Sequence, residues 1–434
     1  MKTAAGLPPP LRPRGVDDPH RREPRNTHTW GRGRAGPPPH NPRSTMIQSE
    51  HLLHRIGRRL LGRRLTGLGH AEHASETEVL HPEEVQEVLP AICHPASRER
   101  AVCSNGFNTL DQVWEQADRT RSRQGATLRL AFENVSLRGN TLWLPGRGCR
   151  TLSRGSEAPA VGRAVGRAGP CVLAESSLSS FYFGHWLRDD LVLRELAGRI
   201  PAAQVRMNAP AYPHAGFYDP LLPAPETLER PTRFERLSLL VDNGQNRGKF
   251  HRYRRVRGRI ADRLSLDPAA PERAGPVLLA RGSDGSDRSL VNQEEVEALI
   301  RRMNGVVVVP ERETAEGVLR ALWNAPVVVG VEGSQTAPWV YAAAPHAAVV
   351  LIQPPRRVGL LQKGVTECLG CPLGFVVGEP VGAGQAFRVS DAAELAGVVE
   401  EAIAQRGLAR RMHERFHAAP TPVAPEGHPA SPHA

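Results

Sequence analysis

Aromatic residues and cysteines are scarce: Phe, Trp and Tyr make up 5% of the 434 residues, and six cysteines are present. Six thiols without a regular spacing, in a chain of this length, do not make a disulfide scaffold, and reduced thiols are expected. Long apolar runs are missing as well. No stretch reaches the roughly 20 residues that a membrane-spanning helix needs, and the first residues lack the apolar core of a secretory signal. These absences argue against a membrane-spanning protein and a stapled secreted domain, so a cytoplasmic location is expected.

Acidic residues are the third shortage, with 45 Asp and Glu against 56 Lys and Arg, a formal charge of +11. Much of that excess is local. Residues 1–45 hold nine Lys and Arg against three Asp and Glu, which is +6 of the total, together with two Pro triplets and no apolar periodicity. Such a composition reads as a disordered basic tail, and Met46 is a candidate for the natural start. A tail without interleaved aromatics supports only non-specific phosphate contact, so no specific nucleic-acid partner is expected. In residues 46–77, Leu52, Leu53, Ile56, Leu60, Leu61 and Leu65 alternate with five arginines, giving an amphipathic cationic helix. It either packs on a domain or makes peripheral contact with an anionic membrane, at the inner face of the cell membrane if the protein is cytoplasmic.

What the sequence does have is 40% hydrophobic residues, enough for sizeable cores in two or three domains. Between Val277 and Pro354, four apolar runs (Val277 to Ala280, Val306 to Val309, Val327 to Gly330 and Ala347 to Ile352) alternate with helical patterns. Those patterns cover Asn292 to Met303, Thr314 to Trp323 and Gln335 to Ala343. Strands without polar alternation, each followed by a helix, predict a parallel sheet covered on both faces. Ligands bind such sheets at the carboxyl ends of the strands. There stand Arg281 and Arg288 after the first run, and Glu332, Gly333, Ser334 and Gln335 after the third. A Gly-Ser turn opening a helix, faced by two arginines, would suit a diphosphate; the plainer alternative is a helix cap and two solvated arginines.

Residues 78–245 read as a less regular α/β domain. Strands are expected at Leu128 to Phe132, Thr141 to Leu144 and Val172 to Ala174, with a loop over 153–169. The informative stretch is Phe181 to Leu191. On the helix predicted there, His185 and Asp189 are four residues apart and share one face, while Asp190 turns to a neighbouring one. A carboxylate beside an imidazole fits a general base with its orienting partner, and equally a capping Asp with a half-buried His. Residues 246–270 form an Arg-rich connecting helix, read as a solvated face or as a surface for an acidic acceptor. Cys368 and Cys371 have zinc-like spacing but no second pair, and are read as packing. One further helix is expected from Ala392 to about Ile403 within residues 271–418, followed by a disordered tail over 419–434.

Two runs carry a family resemblance. His185, Trp186, Asp189 and Asp190 resemble the His-Trp-x-x-Asp motif of glycosyltransferase family 61. Arg281, Arg288, Asn292 and the run Ala325 to Gln335 resemble that family's later signatures in the same order. The likeness spans roughly Val172 to Gly378. It implies an α/β fold of two Rossmann-like domains facing across a cleft, the glycosyltransferase B type, with the donor on the C-terminal domain over residues 271–418. It also implies an inverting transfer from a nucleotide-sugar, expected to be UDP-linked, to a hydroxyl of a glycan or lipid-linked acceptor in capsule or cell-surface polysaccharide synthesis. No cofactor and no divalent metal are implied. By the same resemblance Asp189 would be the base, His185 its partner, and Arg281 and Arg288 the diphosphate ligands. Asn292, Glu332, Gly333, Ser334 and Gln335 would complete the donor site. Glu332 stands where the family commonly has His, and Gln353 where a ribose-binding Glu is often found. A non-catalytic nucleotide-sugar or glycan binder of the same fold is the alternative that these departures leave open.

Overall fold

The apolar runs of the C-terminal half form a five-stranded sheet in this computed structural model, which describes residues 70–146, 148–152, 166–176, 178–282 and 288–420. Across the sheet the strands lie Val306–Val308, Val277–Leu279, Val327–Val331, Ala348–Gln353 and Leu373–Val377, every neighbouring pair parallel. In chain order this is 2-1-3-4-5, a doubly wound arrangement whose switch point separates the first and third strands. Both faces are covered. Val327, Val329 and Val331 pack with the helices Gln293–Arg302 and Ala392–Ala418, and Val328 packs with Ala315–Leu322 and Arg247–Leu264. That double cover explains why the runs lack polar alternation. Val306, on the edge strand, is partly exposed rather than buried as expected.

The helix expected from Gln335 to Ala343 is two short turns, Ser334–Thr336 and Trp339–Ala342. Pro338 between them has no N–H to donate, which breaks the helical ladder. The helix expected to end near Ile403 instead runs from Ala392 to Ala418.

The N-terminal sheet departs from the Rossmann-like pattern. Its strands lie Gly148–Thr151, Thr141–Leu144, Thr127–Arg138, Thr232–Val241, Gly166–Leu173, Ala203–Arg206 and Glu226–Thr227, with Glu76–His81 also paired to Thr127–Arg138. Thr232–Val241 is parallel to Gly166–Leu173 but antiparallel to Thr127–Arg138, so the sheet is mixed. The turn through Gly139, at φ +52°, joins its flanking strands as a hairpin, and a hairpin imposes antiparallel pairing. Gly166–Leu173 also begins inside the segment expected as a loop. Residues 1–69, 153–165 and 421–434, among them the basic tail and the cationic amphipathic segment up to residue 69, lie outside the described residues.

Two features tie the halves together more closely than a chain divided at residue 245 would. Ile92 hydrogen-bonds with the outer C-terminal strand through Leu373 O (2.8 Å) and Phe375 N (2.9 Å), and Arg119 pairs with Glu367. The apolar Val88, Ala91 and Ile92 find cover at the open sheet edge, so this segment packs with the C-terminal half. Trp186, Leu187 and Leu191 share one core with Tyr253, Val256 and Trp339, while the N-terminal sheet keeps its own core around Phe132 and Phe234. All described residues fall in one compact unit.

The connecting helix, Arg247–Leu264, is a solvated face in part: Arg254, Arg259 and Arg263 are exposed, while other basic residues turn inward. Asn246 caps it by accepting from Lys249 N, and Arg247, Lys249 and Arg252 are buried. Arg257 donates to Tyr341 O (2.9 Å), Ala343 O (2.7 Å) and Asn324 Oδ1 (2.7 Å), and lies 4.0 Å from the Trp323 ring centre. These inward arginines are used inside the protein. Cys368 and Cys371 are buried free thiols, and burial pushes both up, Cys371 to about 12. Among the described residues, no group of three or more His, Cys, Asp or Glu is placed to hold a metal ion, and no helix is long and apolar enough to cross a membrane.

Candidate functional site

The helix bearing the His-Trp run starts at Phe183, winds as a π-turn through Trp186–Asp190, and continues as Leu191–Ala197. Trp186, Leu187, Leu191 and Val192 are buried on its core side. The wider turn keeps these apolar residues inward while His185, Arg188 and Asp189 face a cavity half-buried, a use of π-turns common at functional sites. His185 Nδ1 lies 2.8 Å from Asp189 Oδ2 and 2.9 Å from Arg188 Nη2. A carboxylate only accepts, so the bond to Asp189 requires the proton on Nδ1 and leaves Nε2 the basic nitrogen. The Arg188 guanidinium only donates, so with that tautomer its approach to Nδ1 is a contact and its hydrogen bonds go to Asp189. Nε2 makes no hydrogen bond among the described residues.

Asp189 also accepts from Arg188 through both oxygens, at 3.0–3.1 Å, and Lys249 Nζ is 3.8 Å from Oδ1. Burial alone would push its carboxyl up, but Arg188, His185 and Lys249 outweigh it and hold the group far below the ordinary carboxylate range. Asp189 is therefore a firmly ionised anchor and a weak base. Its neighbour Asp190 is the opposite: burial pushes it up to about 8, against hydrogen bonds from Ser176, whose N–H lies 2.8 Å from Oδ1. Asp190 faces away from the cavity and pins the Ser176 loop at its rim. The cavity itself, about 390 Å³, is lined by Glu175, Ser176, His185, Asp189, Asp242 and Lys249 among others. Lys249 donates to Asp242 O (2.8 Å), and Asp242 is further held by Arg252 (2.5 Å) and Thr127 (2.9 Å).

On the other sheet, the predicted donor residues meet at the switch point. A Cβ placed on Gly333 would lie 2.9 Å from Arg281 Nη1 and 3.2 Å from Arg288 Nη1, so both guanidiniums converge on bare backbone. Gln335 accepts from Arg281 (3.2 Å) and donates to Val331 O (2.7 Å). Glu332 is buried and paired with Arg288, Oε2 to Nη1 at 2.6 Å. Burial pushes the Glu332 carboxyl up, and Arg288, Arg357 and Arg281 pull it back. Because the helix after Ser334 is a short turn, its dipole adds little, and the arginines are the site's charge. Two predicted residues do not join. Asn292 is committed to the Val389 main chain (2.8 and 3.0 Å), and buried Gln353 pairs with both the N and O of Gly359, closing a loop instead of facing a ribose.

The two clusters touch. A Cβ on Gly184, one residue before His185, would stand 3.2 Å from Ser334 Cα, and Tyr341 OH donates to Leu187 O at 2.8 Å. Residues 183–350, which span both clusters, match the sequence model of the family described as Glycosyltransferase 61. This segment is a glycosyltransferase family 61 domain. No curated protein sequence matches the chain. Among solved structures, it is similar to the dodecameric iron-containing heptosyltransferase TibC, crystallised with ADP-D-beta-D-heptose. The identity is 12%, the TM-score 0.24, and the match covers 68% of this chain and 94% of that one.

In this glycosyltransferase several site residues were invisible to sequence reading. Lys249 and Asp242 reach the cavity from the start of the connecting helix and the residue after a strand, and nothing in their spacing announced convergence. Tyr182 is exposed beside His185, their ring centres 5.8 Å apart. Its place immediately before the His-Trp run was the available signal. Arg357 follows the fourth strand, the position at which a parallel sheet presents ligand-binding residues.

Proposed function

We propose that this glycosyltransferase is an inverting, metal-independent enzyme that moves a sugar from a nucleotide-sugar to a hydroxyl of a glycan or lipid-linked acceptor. A UDP-linked donor and a role in capsule or cell-surface polysaccharide synthesis are part of this reading, as is a two-lobed glycosyltransferase B arrangement. The observation that carries it is the contact of Gly184 with Ser334, which sets an imidazole-lined cavity beside two arginines converging on Gly333. A diphosphate held by Arg281 and Arg288 at Gly333, with Ser334 and Gln335 beside it, would direct its sugar towards that cavity.

The roles within the pair are better reversed from the sequence-based assignment. Asp189, neutralised by Arg188, is a poor proton acceptor but a good anchor for imidazole Nδ1–H; His185 Nε2 then takes the acceptor proton. In the reaction, the acceptor oxygen bonds to the anomeric carbon as the carbon–oxygen bond to the diphosphate breaks. The bonding pair leaves with the nucleoside diphosphate, where the arginines stabilise the developing charge, and Asp190 only positions the Ser176 rim.

His185→Ala is expected to lower transfer by ~10²–10⁴-fold while nucleoside diphosphate binding, read by calorimetry, stays within a few-fold of wild type. Added imidazole should restore part of the rate. Wild-type turnover in His185→Ala would remove it as the base.

A further inference from the structure

The residues just before the His185 helix divide between inside and outside. Phe183 packs into a ring cluster, its centre 5.7 Å from Tyr212, 6.1 Å from Trp186 and 5.9 Å from His214. Its neighbours do not follow it. Phe181 and Tyr182 are exposed, at 42% and 41%. The main chain of this corner is fixed without their rings: Tyr182 N donates to Leu178 O at 3.3 Å, Tyr182 O accepts from Trp186 N at 3.0 Å, and Tyr212 OH donates to Ser179 O. Among the described residues the one ring contact of Tyr182 is with His185, at 5.8 Å and tilted by 56°.

Position gives that exposed ring a use. Leu178, to which Tyr182 N is bonded, and His185 both line the cavity of about 390 Å³, so Tyr182 stands at its edge. On a helical turn residues three apart share a side, which groups Tyr182 with His185, while Gly184 turns to Ser334. A tyrosine offers a rigid, flat apolar face at little cost in conformational entropy. A pyranose has a matching surface, because its axial C–H bonds gather on the ring face while its hydroxyls point outward round the edge. Laid on Tyr182, such a ring keeps its edge free to reach His185 Nε2. A nucleobase also stacks, but it lies at the other end of the diphosphate from the sugar, and only the sugar end has to meet His185.

We infer that Tyr182 is the stacking platform for a sugar ring at the point of transfer. This rests on the transfer reading given above. The ring is the acceptor's if it bears the hydroxyl that His185 deprotonates, and the donor's if it bears the anomeric carbon. Both carry the same apolar face, and the test separates them.

The test compares the full chain with Tyr182→Ala, Tyr182→Phe and Tyr182→Trp. Donors are UDP-glucose, UDP-galactose, UDP-xylose and UDP-N-acetylglucosamine, and acceptors are methyl glycosides, which bring no aromatic ring of their own. Calorimetry with UDP gives the affinity of the nucleotide without a sugar. Tyr182→Ala should raise one KM by about tenfold, the size of one aromatic contact, with UDP affinity and melting midpoint near wild type. Tyr182→Phe and Tyr182→Trp keep the flat face and should stay within a few-fold of wild type. A raised acceptor KM assigns the acceptor's ring to the platform; a raised donor KM assigns the donor's. Equal losses in Tyr182→Phe and Tyr182→Ala trace the effect to the hydroxyl and overturn the inference. So does an equal weakening of UDP, which points to the nucleobase, or a fall in kcat alone, which makes Tyr182 a support for His185. Unchanged constants in Tyr182→Ala overturn it and leave the transfer reading standing. Failure of wild type to transfer from any of the four donors overturns the inference together with that reading.

Discussion

Asp189 and Asp190 are consecutive, chemically identical and held in opposite protonation states by their surroundings. Asp189 has Arg188, His185 and Lys249 around it, whereas Asp190 has two serines and an apolar wall, with the nearby Glu175 adding repulsion. The folded-state value of Asp190, about 8, stands above its ordinary value of 3.8, so the fold binds a proton that the unfolded chain has released. Its contribution is complete below pH ~4 and declines as pH rises to about 8, on the order of 1 kcal/mol per pH unit. Asp190→Asn keeps an acceptor for Ser176 N–H without the charge. Its melting midpoint should overtake that of wild type towards pH 8, and a wild-type-like slope from pH 5 to 8 would show that Asp190 is ionised in the fold. At this scale the sequence made the His185–Asp189 pair legible, because four-residue spacing on a helix is a local property. It could not separate base from anchor, since that depends on Arg188 and on Lys249, 60 residues away. Asp242 stayed hidden for the same reason: convergence across strands leaves no period in the sequence.

Elements were legible where both faces are buried. The parallel strands read as uninterrupted apolar runs, and Thr314 and Asn292 marked helix starts to within a residue. The mixed N-terminal sheet was not, since its partners are chosen by a hairpin and by distant pairing instead of by a repeating strand-helix cycle. The C-terminal helix was misjudged because beyond Ile403 arginines, histidines and Gly407 interrupt its apolar pattern, and ring contacts help to hold the last turns. His417 lies 4.3 Å from Phe250 and 4.2 Å from His413, ring centre to ring centre, and His413 Nε2 is 3.0 Å from Cys368 O. Burial and neighbouring His417 and His346 push His413 down to about 3; burial with His251 and Arg247 pushes His417 to about 4, although Glu84 opposes it. These values lie below the ordinary 6.5, so the fold requires neutral rings: the stabilisation is complete above pH 6.5 and is lost as pH falls through 4 and 3. His417→Phe preserves an aromatic ring against Phe250 and removes one of these titrations. The drop in its melting midpoint between pH 7 and pH 5 should be smaller than that of wild type; an equal drop would place the acid sensitivity elsewhere.

Across the whole molecule, the core that joins Trp186 and Leu187 to Trp339 and Tyr341 makes the two sheets answer to one another, and Gly184 lies against Ser334 where the two clusters meet. The missing side chain at Gly184 sets that spacing. A Cβ there would meet Ser334 Cα at 3.2 Å and its Oγ at 3.2 Å, tighter than ordinary contact and against backbone that cannot swing away. Gly184→Val should therefore push the His185 helix from the Gly333 turn without altering any charged group. Positioning errors of about 1 Å can cost ~10²-fold in rate, so turnover should fall by at least tenfold while diphosphate affinity, set by arginines on the other sheet, changes only a few-fold. Gly216, where an added Cβ meets nothing within 4 Å, gives the control: Gly216→Ala should leave both quantities near wild type. If Gly184→Val lost diphosphate binding and turnover in equal proportion, the contact would be part of the donor site itself. If it lost neither, the two clusters would act without the coupling on which the transfer reading depends.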